Sequence, residues 1–378
     1  MLHKKNINVY MLNCNTVLNK KNINMTTTYK PHPFLISSLK LLFFDIFYKN
    51  NKIYLIMPIY NTPASSEHIK ITVNNKILNL TESHIKDSYE PILVYIYEYI
   101  TPPNTVIKVD IKLINNMINS YDIQHIYTHT ESIVKKNSNN FLALTTLFKH
   151  DYYLFPLFYN YYKEQGVQHF YMYYNGIVTP KICKVFNKPD VTLVEWNFHY
   201  WNHPVVKYAH HAQMGQMHHA LYKYGKDVYD YMIFCDLDEY LHVPKNKCID
   251  STANIVHNNE QHNDNTIRQF ITNNPDIDIF GFCNYWANTI ENNIPNKRYL
   301  PKKFLAVSEP CEYKERSKNI YKVSFINTIG IHQVGYELYN SPNALSAVKS
   351  ITDLNMYHFY KWSSTKRVIE NCNNIVEL

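Results

Sequence analysis

Two carboxylates spaced one residue apart are the strongest chemical signal in this sequence. The segment Asp236-Leu-Asp-Glu239 directly follows the apolar run at residues 231–235. Hard divalent cations prefer oxygen ligands, and Mg²⁺ or Mn²⁺ is commonly held by one or two carboxylates together with substrate phosphates. An ion held by Asp236 and Asp238 would neutralise charge on a leaving diphosphate. The pattern therefore predicts a divalent metal site that could bridge a diphosphate.

Two competing interpretations of this pair have to be weighed. Asp276-Ile-Asp278 has the same spacing, but it precedes the apolar run at 279–283 and is expected at a strand entrance. Asp236 and Asp238 could instead lie in the first turn of a helix, where carboxylates interact favourably with the helix dipole. Ligands of open α/β sheets bind beyond the carboxyl ends of strands. This rule favours residues 236–239 as the chemical site.

The second part of the chain alternates between strand and helix patterns. Such alternation predicts βαβ units and a largely parallel sheet that is covered by helices. The strand exits at 149–151, 174–176 and 236–239 should then share one edge of the sheet. The predicted strands span 141–148, 167–174, 191–196 and 231–235, and the predicted helices span 151–165, 179–187 and 207–224.

The first part of the chain is different, because its strand patterns follow one another without helices. Short runs rich in Ile, Val and Tyr are separated by Asn-Asn and Pro-Pro-Asn, which predicts a small all-β module, a sandwich. The predicted strands are 53–60, 69–73, 77–80, 92–99 and 106–114. We predict an irregular segment at 1–50, the β-rich module at 51–138 with a linker at 131–140, and the α/β domain at 139–378. The apolar stretch at 34–48 predicts a buried helix or strand pair, with a membrane-surface helix as the alternative.

Composition excludes several other classes of protein. Hydrophobic residues make up 46% and charged residues 18% of the 378 residues, which is a globular composition. The net charge of +7 is mild and unclustered, so no nucleic-acid partner is expected. The 7 cysteines are scattered without a Cys-x-x-Cys pair, which favours a reducing compartment. With no signal peptide or transmembrane segment in the pattern, we expect a soluble, cytoplasmic protein, with the secretory lumen left open.

The order of several motifs resembles glycosyltransferase family 92 and its glycosyl transferase family 2-like relatives. The resemblance covers about residues 140–370, and it implies a GT-A-like, Rossmann-like α/β catalytic domain preceded by the small all-β module. Its pieces are Lys149-His-Asp151, Tyr161-Tyr-Lys-Glu-Gln-Gly166-Val167, Tyr173-Tyr174-Asn175, Asp236-Leu-Asp-Glu-Tyr240, Arg316-Ser-Lys318, Gly330-Ile331-His332 and Asn355-Met-Tyr-His358-Phe-Tyr-Lys361-Trp-Ser363.

The resemblance implies metal-dependent transfer of a hexose from a nucleotide diphosphate sugar, a UDP-sugar, to a glycan or a glycoprotein or glycolipid acceptor, with inversion. The expected cofactor is Mn²⁺ or Mg²⁺. Neutral imidazole suits Mn²⁺, so His332 is the expected third metal ligand beside Asp236 and Asp238. An inverting transfer needs a general base at the acceptor hydroxyl, and Glu291 is the candidate. The residues expected to contact the nucleotide sugar are Lys149, Asn175, Gln213, Lys318 and His358.

Two alternatives remain open at this stage. A zinc-dependent hydrolase could use the histidines of the 207–224 helix, although adjacent histidines on a helix diverge by about 100° and do not chelate one ion. A catalytically degenerate carbohydrate-binding protein would fit the β-rich module. The helix histidines are His210, His211, His218 and His219.

Two adjacent aromatic residues also have two interpretations. Tyr285 and Trp286 could stack on an acceptor sugar or belong to the core.

Overall fold

The structure is a computed structural model, and it has a mixed α/β architecture with one large sheet and few helices. This confirms the coarse fold class expected from the sequence. The residues that it describes are 26–37, 40–58, 69–86, 92–102, 105–113, 118–124, 140–200, 212–243, 247–249, 255–257, 266–288, 304–310, 316–332, 354–359, 362 and 374–377. The predicted linker at 131–140 lies outside them except for its last residue.

The first part of the chain forms strands, as its pattern predicted. Two four-stranded sheets have the orders β4-β5-β9-β8 and β11-β10-β6-β7. Asn50-Asn51 and Asn74-Asn75 all have positive φ, the conformation that tight hairpin turns require. The strands are β1 (Thr27–Tyr29), β2 (Phe34–Ser37), β3 (Lys40–Phe43), β4 (Asp45–Lys49), β5 (Lys52–Pro58), β6 (Ile69–Val73), β7 (Lys76–Leu78), β8 (Glu82–Lys86), β9 (Ile92–Glu98), β10 (Val106–Leu113) and β11 (Ile118–Gln124).

The prediction of an irregular segment at 1–50 is wrong for its described part. Strands β1 to β4 lie there, and the apolar stretch at 34–48 forms strands, of which β2 and β3 pair antiparallel. Strand β1 joins the large sheet, with Thr27 opposite Thr192. A three-residue strand whose partner lies far along the chain has no local periodicity, so its pattern could not be recognised.

The βαβ alternation of the second part is confirmed. Strands β12 to β15 are parallel and lie in the order β14-β13-β12-β15. The chain therefore runs outward from β12 through β13 to β14, and then returns to place β15 on the other side of β12. The gap between β12 and β15 is the crossing point at which open α/β sheets bind ligands. The elements are β12 (Leu142–Phe148), a 3₁₀ turn (Tyr152–Leu154), α1 (Phe155–Glu164), β13 (His169–Tyr174), α2 (Pro180–Val185), β14 (Val191–Glu195), α3 (Ala212–His219), a π-helical turn (Ala220–Gly225) and β15 (Tyr231–Phe234).

The remaining strands extend the large sheet beyond β15. Strand β21 pairs antiparallel with β15 and β19, while β22 bridges β16 and β19. This order places the start of β21 and the end of β22 beside the exit of β15. The elements are β16 (Glu239–His242), β17 (Lys247–Ile249), β18 (Ile255–His257), α4 (Ile267–Thr272), β19 (Ile279–Asn288), β20 (Phe304–Pro310), β21 (Lys318–Lys322), β22 (Asn355–His358) and β23 (Asn374–Glu377).

Three clusters of buried apolar residues fill the spaces between the sheets and helices. One lies between the large sheet and helices α1, α2 and α4, and a second lies between the opposite face, α3 and the β4-β5-β9 strands. The third lies between the two four-stranded sheets. The sheet of β4, β5 and β9 is therefore covered on both faces, which explains why these strands are apolar at nearly every position.

Gly215 on α3 marks a close approach between this helix and the N-terminal strands. A Cβ at this position would lie 2.5 Å from the ring of Phe44. We expect Gly215→Ala to lower the free energy of unfolding by about 1–3 kcal/mol, because overpacking forces the ring from its place. Chemical denaturation measures this loss. In Gly215→Ala/Phe44→Leu the two changes should couple, and strictly additive losses would contradict the contact.

A buried polar network also ties the N-terminal strands to the large sheet. The Asp45 Oδ2 atom is 2.7 Å from His219 Nε2 and accepts a hydrogen bond from Tyr29 at 2.6 Å. The other imidazole nitrogen is 2.6 Å from the Tyr173 hydroxyl. Both Asp45 and His219 are fully buried. Burial opposes ionisation of Asp45, but the hydrogen bond and charge of His219 lower its pKa to about 2.

This network predicts a loss of stability in acid. Burial lowers the pKa of His219 against the opposing influence of Asp45. The unfolded chain therefore takes up a proton first as the pH falls below about 6.5, and stability declines by up to about 1.4 kcal/mol per pH unit for this group. Asp45 adds a further loss as the pH falls from 3.8 towards 2. Denaturation from pH 7.5 to 5 should show a shallower decline in His219→Gln, and an unchanged slope would contradict this assignment.

Candidate functional site

The acidic segment lies in a tight turn between β15 and β16. The amide of Asp236 donates to Glu239 Oε2 at 2.8 Å, and the amide of Glu239 donates to the Asp236 carbonyl at 3.1 Å. The chain then continues as strand β16. The alternative that Asp236 and Asp238 belong to the first turn of a helix is therefore wrong. As predicted, the segment is at the carboxyl end of a buried parallel strand.

Lys318 lies between two of these carboxylates. Its Nζ atom is 3.4 Å from Asp236 Oδ2 and 3.4 Å from Glu239 Oε2. Its side chain is 3% exposed, against 2% for Glu239 and 30% for Asp236. Burial alone would lower the pKa of Lys318, but Asp236 and then Glu239 raise it above its usual value. Lys318 therefore stays charged and compensates the buried carboxylates.

His358 makes the equivalent contacts on the other side. Its Nε2 atom is 3.2 Å from Asp238 Oδ2, and its Nδ1 atom is 3.6 Å from Glu239 Oε1. Strand pairing produces this arrangement, because Glu239 and His358 are partners in the β16–β22 register. Burial raises the pKa of Glu239, while Lys318 opposes that rise. Glu239 is thus the buried centre between Lys318 and His358.

Gln213 holds the Asp236 carboxylate from helix α3. Its Nε2 atom donates to Asp236 Oδ1 at 3.3 Å, and its Oε1 atom accepts from the Tyr200 hydroxyl at 2.7 Å. Gln213 lies on α3, one turn from the Gln216 side chain, which donates to Thr145 Oγ1 on β12 at 2.7 Å. The helix therefore places an amide directly against the exit of β15.

A small cleft opens where these elements meet. It lies at the crossing point between β12 and β15, as the strand order implies. The partly exposed carboxylate of Asp236 gives the cleft its negative charge. Its lining residues are Thr145, Thr146, Leu147, Gln213, Gln216, Met217, Phe234, Cys235, Asp236 and Lys318.

The structure brings together some predicted site residues directly and leaves others apart. Lys149 is exposed and Asn175 is buried at neighbouring strand exits. Neither residue pairs with the carboxylates in the part of the chain that the structure describes. The carbonyl of His332 accepts from Ser317 Oγ at 2.6 Å, beside Lys318. Glu291, the predicted general base, lies outside the described residues.

His332 keeps an unused ring nitrogen close to this cluster. Its Nδ1 atom is buried and has no hydrogen-bond partner within the described ranges. Burial, followed by the charge of Lys318, lowers the pKa of His332 to about 3. The imidazole is therefore neutral near pH 7, which is the form that binds metals.

The second Asp-x-Asp pair lies away from the site, as expected. Asp278 precedes β19 and pairs with Lys322 at 2.9 Å. Lys322 is at the end of β21 opposite to Lys318, so the two pairs are separated by the length of a strand. Asp278 and Lys322 therefore form an ordinary surface ion pair, away from the predicted metal site.

The described histidines of the zinc alternative are used in packing. His218 contacts the Met214 carbonyl through Nδ1 at 2.9 Å, and His219 belongs to the buried Asp45 network. Among the described residues no group of three His, Cys, Asp or Glu side chains is arranged to hold an ion. His210 and His211 lie outside those residues.

Two side chains of the site, Glu239 and Arg316, were not assigned a role of their own from the sequence. Glu239 was noted only as part of the acidic segment, although a carboxylate within an apolar strand is itself a signal of a buried charge. Its carbonyl accepts from the Tyr162 hydroxyl at 2.9 Å. Trp286 is buried against His358, with ring centroids 4.7 Å apart, so the sugar-stacking role considered for it is not supported. The guanidinium carbon of Arg316 lies over the Trp286 ring, 4.7 Å from its centre.

Comparison with known families agrees with this geometry. The model of glycosyltransferase family 92 matches residues 142–377, from the first strand of the parallel sheet to β23. The match covers well over half of the 378 residues, and the chain belongs to this family. Membership implies glycosyltransferase activity, with a sugar donor and a glycan acceptor. No curated protein sequence matches the chain. None of the described helices has both the length and the apolar character that a membrane span needs.

Proposed function

We propose that the protein transfers a hexose from a nucleotide diphosphate sugar, a UDP-sugar, to a glycan or to a glycosylated protein or lipid, with inversion and with a divalent metal ion. The α/β part at 139–378 would be a GT-A-like catalytic domain, and the β-rich part at 51–138 a separate module. The observation that supports this proposal most is the partly exposed carboxylate of Asp236 at the crossing point of a parallel sheet.

The residues at this point have the donor types that Mn²⁺ or Mg²⁺ uses, although no three described side chains are already arranged around one ion. Asp236 offers a carboxylate that faces the cleft, and His332 offers a neutral ring nitrogen that no described group uses. Asp238 is nearly buried, and one of its carboxylate oxygens lies 3.2 Å from His358, so an ion would compete with His358 for that oxygen. Asp236, Asp238 and His332 would hold the ion. When bound, the ion would neutralise charge on the leaving diphosphate.

The transfer itself can be written as one displacement. The acceptor hydroxyl oxygen bonds to the anomeric carbon, while the bond from that carbon to the phosphate oxygen breaks and its electron pair leaves with the nucleoside diphosphate. A general base takes the acceptor proton, and we propose Glu291 for this role. Gln213 keeps the Asp236 carboxylate in place, Lys318 compensates buried negative charge, and His358 contacts Asp238, so that the site is formed before substrate binds.

Lys149 and Asn175 are proposed to contact the base and ribose of the donor. They follow β12 and β13, and the Nδ2 atom of Asn175 is buried without a partner among the described residues. A ligand with hydrogen-bond acceptors would satisfy this donor.

A screen of nucleotide sugars in the presence of Mn²⁺ tests the proposal. We expect release of nucleoside diphosphate with at least one donor, and loss of this release when EDTA removes the metal. Release that is fully retained in EDTA would reject metal dependence. No release with any donor, although the protein binds glycans, would favour a carbohydrate-binding protein.

A further inference from the structure

Arg316 is an exposed cation that is held in a fixed position. It lies two residues before the start of β21, and its guanidinium carbon is 4.7 Å from the centre of the Trp286 ring. Trp286 is itself buried, so the platform under the guanidinium does not move freely. A guanidinium stacked on an indole loses rotational freedom but keeps its in-plane donors available. Arg316 is therefore oriented before any ligand arrives.

The Trp286 platform connects Arg316 to the acidic site. The indole also contacts the His358 ring, with centroids 4.7 Å apart and planes tilted by 33°, and His358 lies 3.2 Å from Asp238. Along the chain, Arg316 is two residues before Lys318, which contacts Asp236. Both paths place Arg316 at the rim of the same site.

The two cations at the start of β21 differ in what they bind. Lys318 is buried, and its charge is compensated by Asp236 and Glu239. Arg316 is exposed, and no described carboxylate pairs with it. The unused Nδ1 of His332 lies next to this segment, since the His332 carbonyl bonds to Ser317. The rim therefore has hydrogen-bond capacity that the described residues do not use, beside a cluster in which Asp236 and Glu239 already engage the charge of Lys318.

We propose that Arg316, oriented by Trp286, binds the diphosphate of the donor and of the nucleoside diphosphate that leaves. The inference rests on the proposed function. The planar fork of a guanidinium matches the oxygens of a phosphate, and such charge-assisted pairs are the strong ones. As the bond to the sugar breaks, its electron pair passes to the phosphate oxygen, and Arg316 donates hydrogen bonds to that diphosphate. Trp286 acts only through Arg316 and is a positioning residue.

Calorimetric titration with UDP and with uridine, both in the presence of Mn²⁺, tests this assignment. We expect Arg316→Ala to weaken UDP binding by about 10- to 100-fold, as loss of a hydrogen bond to a charged group does. Uridine binding should be unchanged, because uridine has no phosphate. Arg316→Lys should restore only part of the affinity, since an ammonium neither stacks flat nor bonds in a fork. Trp286→Leu should weaken UDP more than uridine.

Arg268 provides the matched control. It also stacks on an aromatic ring, with its guanidinium carbon 5.5 Å from the centre of Phe141, but it lies at the opposite edge of the sheet near the start of β12. Arg268→Ala should bind UDP like the original protein. Equal UDP affinity in Arg316→Ala and the original protein would overturn the role of Arg316, but it would leave the proposed function standing. An original protein that binds no nucleoside diphosphate would overturn the proposed function and this assignment with it.

Discussion

Asp236→Asn is expected to reduce sugar transfer by about a thousandfold while the protein stays folded. Charge stabilisation by a bound metal is worth several kcal/mol in the transition state, and each 1.36 kcal/mol is a tenfold change in rate. Asparagine has the shape of aspartate and keeps one acceptor oxygen for Gln213 or Lys318, but it lacks the negative charge that holds the ion. Release of nucleoside diphosphate from the donor found in the screen measures the effect.

The fold should survive this change because Asp236 is the most exposed member of the cluster. Lys318 retains its contact with Glu239 when the charge at 236 is removed. Asp278→Asn is the matched control, since Asp278 belongs to the other Asp-x-Asp pair and contacts Lys322 instead. We expect Asp278→Asn to keep full activity. Full activity in Asp236→Asn, with an unfolding transition like that of the original protein, would refute the proposed site.

Lys318→Met is expected to lower the free energy of unfolding by about 3–5 kcal/mol. Removing one partner of a buried ion pair leaves an uncompensated charge, which costs far more than the pair itself contributes. Here the uncompensated group is Glu239, which is 2% exposed. Methionine keeps most of the apolar part of the lysine side chain, so the loss of stability comes mainly from removing the positive charge. Denaturant unfolding at pH 7.5, followed by circular dichroism, measures it.

A second variant keeps this prediction testable even if Lys318→Met is poorly folded. Glu239→Gln in the same chain removes the buried charge, and the double variant should regain a large part of the lost stability. Lys322→Met is the control on the same strand, because Lys322 is 36% exposed and its pair with Asp278 should contribute no more than about 1 kcal/mol. Similar losses in Lys318→Met and Lys322→Met would contradict the compensating role of Lys318.

Local pattern was a good guide wherever an element contains its own periodicity. Strands β12, β13, β14 and β15 were each predicted within about two residues, because fully buried strands are continuous apolar runs bounded by turns. The Asn-Asn turns were equally visible, since they supply the positive φ that the hairpins need. Strand β8, Glu-Ser-His-Ile-Lys, was missed because four of its five residues are polar, as in a loop.

Of the candidate site, the position of Asp236 at the end of β15 could be derived from the sequence alone. The partners of Asp236 could not. Lys318 is 82 residues away along the chain and reaches Asp236 only because β21 pairs antiparallel with β15. Likewise, His358 meets Asp238 only through the pairing of β22 with β16.

The sequence by itself determined the order of buried strands and the edge of the sheet at which the carboxylates emerge, because both follow from hydrophobic periodicity over a few residues. Only the tertiary structure decided that Lys318 and His358 are the partners of the carboxylates, that Glu239 is the buried centre of the cluster, and that Trp286 packs against Arg316 and His358. These contacts join strands far apart in the chain, and their energies depend on burial, which a short stretch of sequence does not specify.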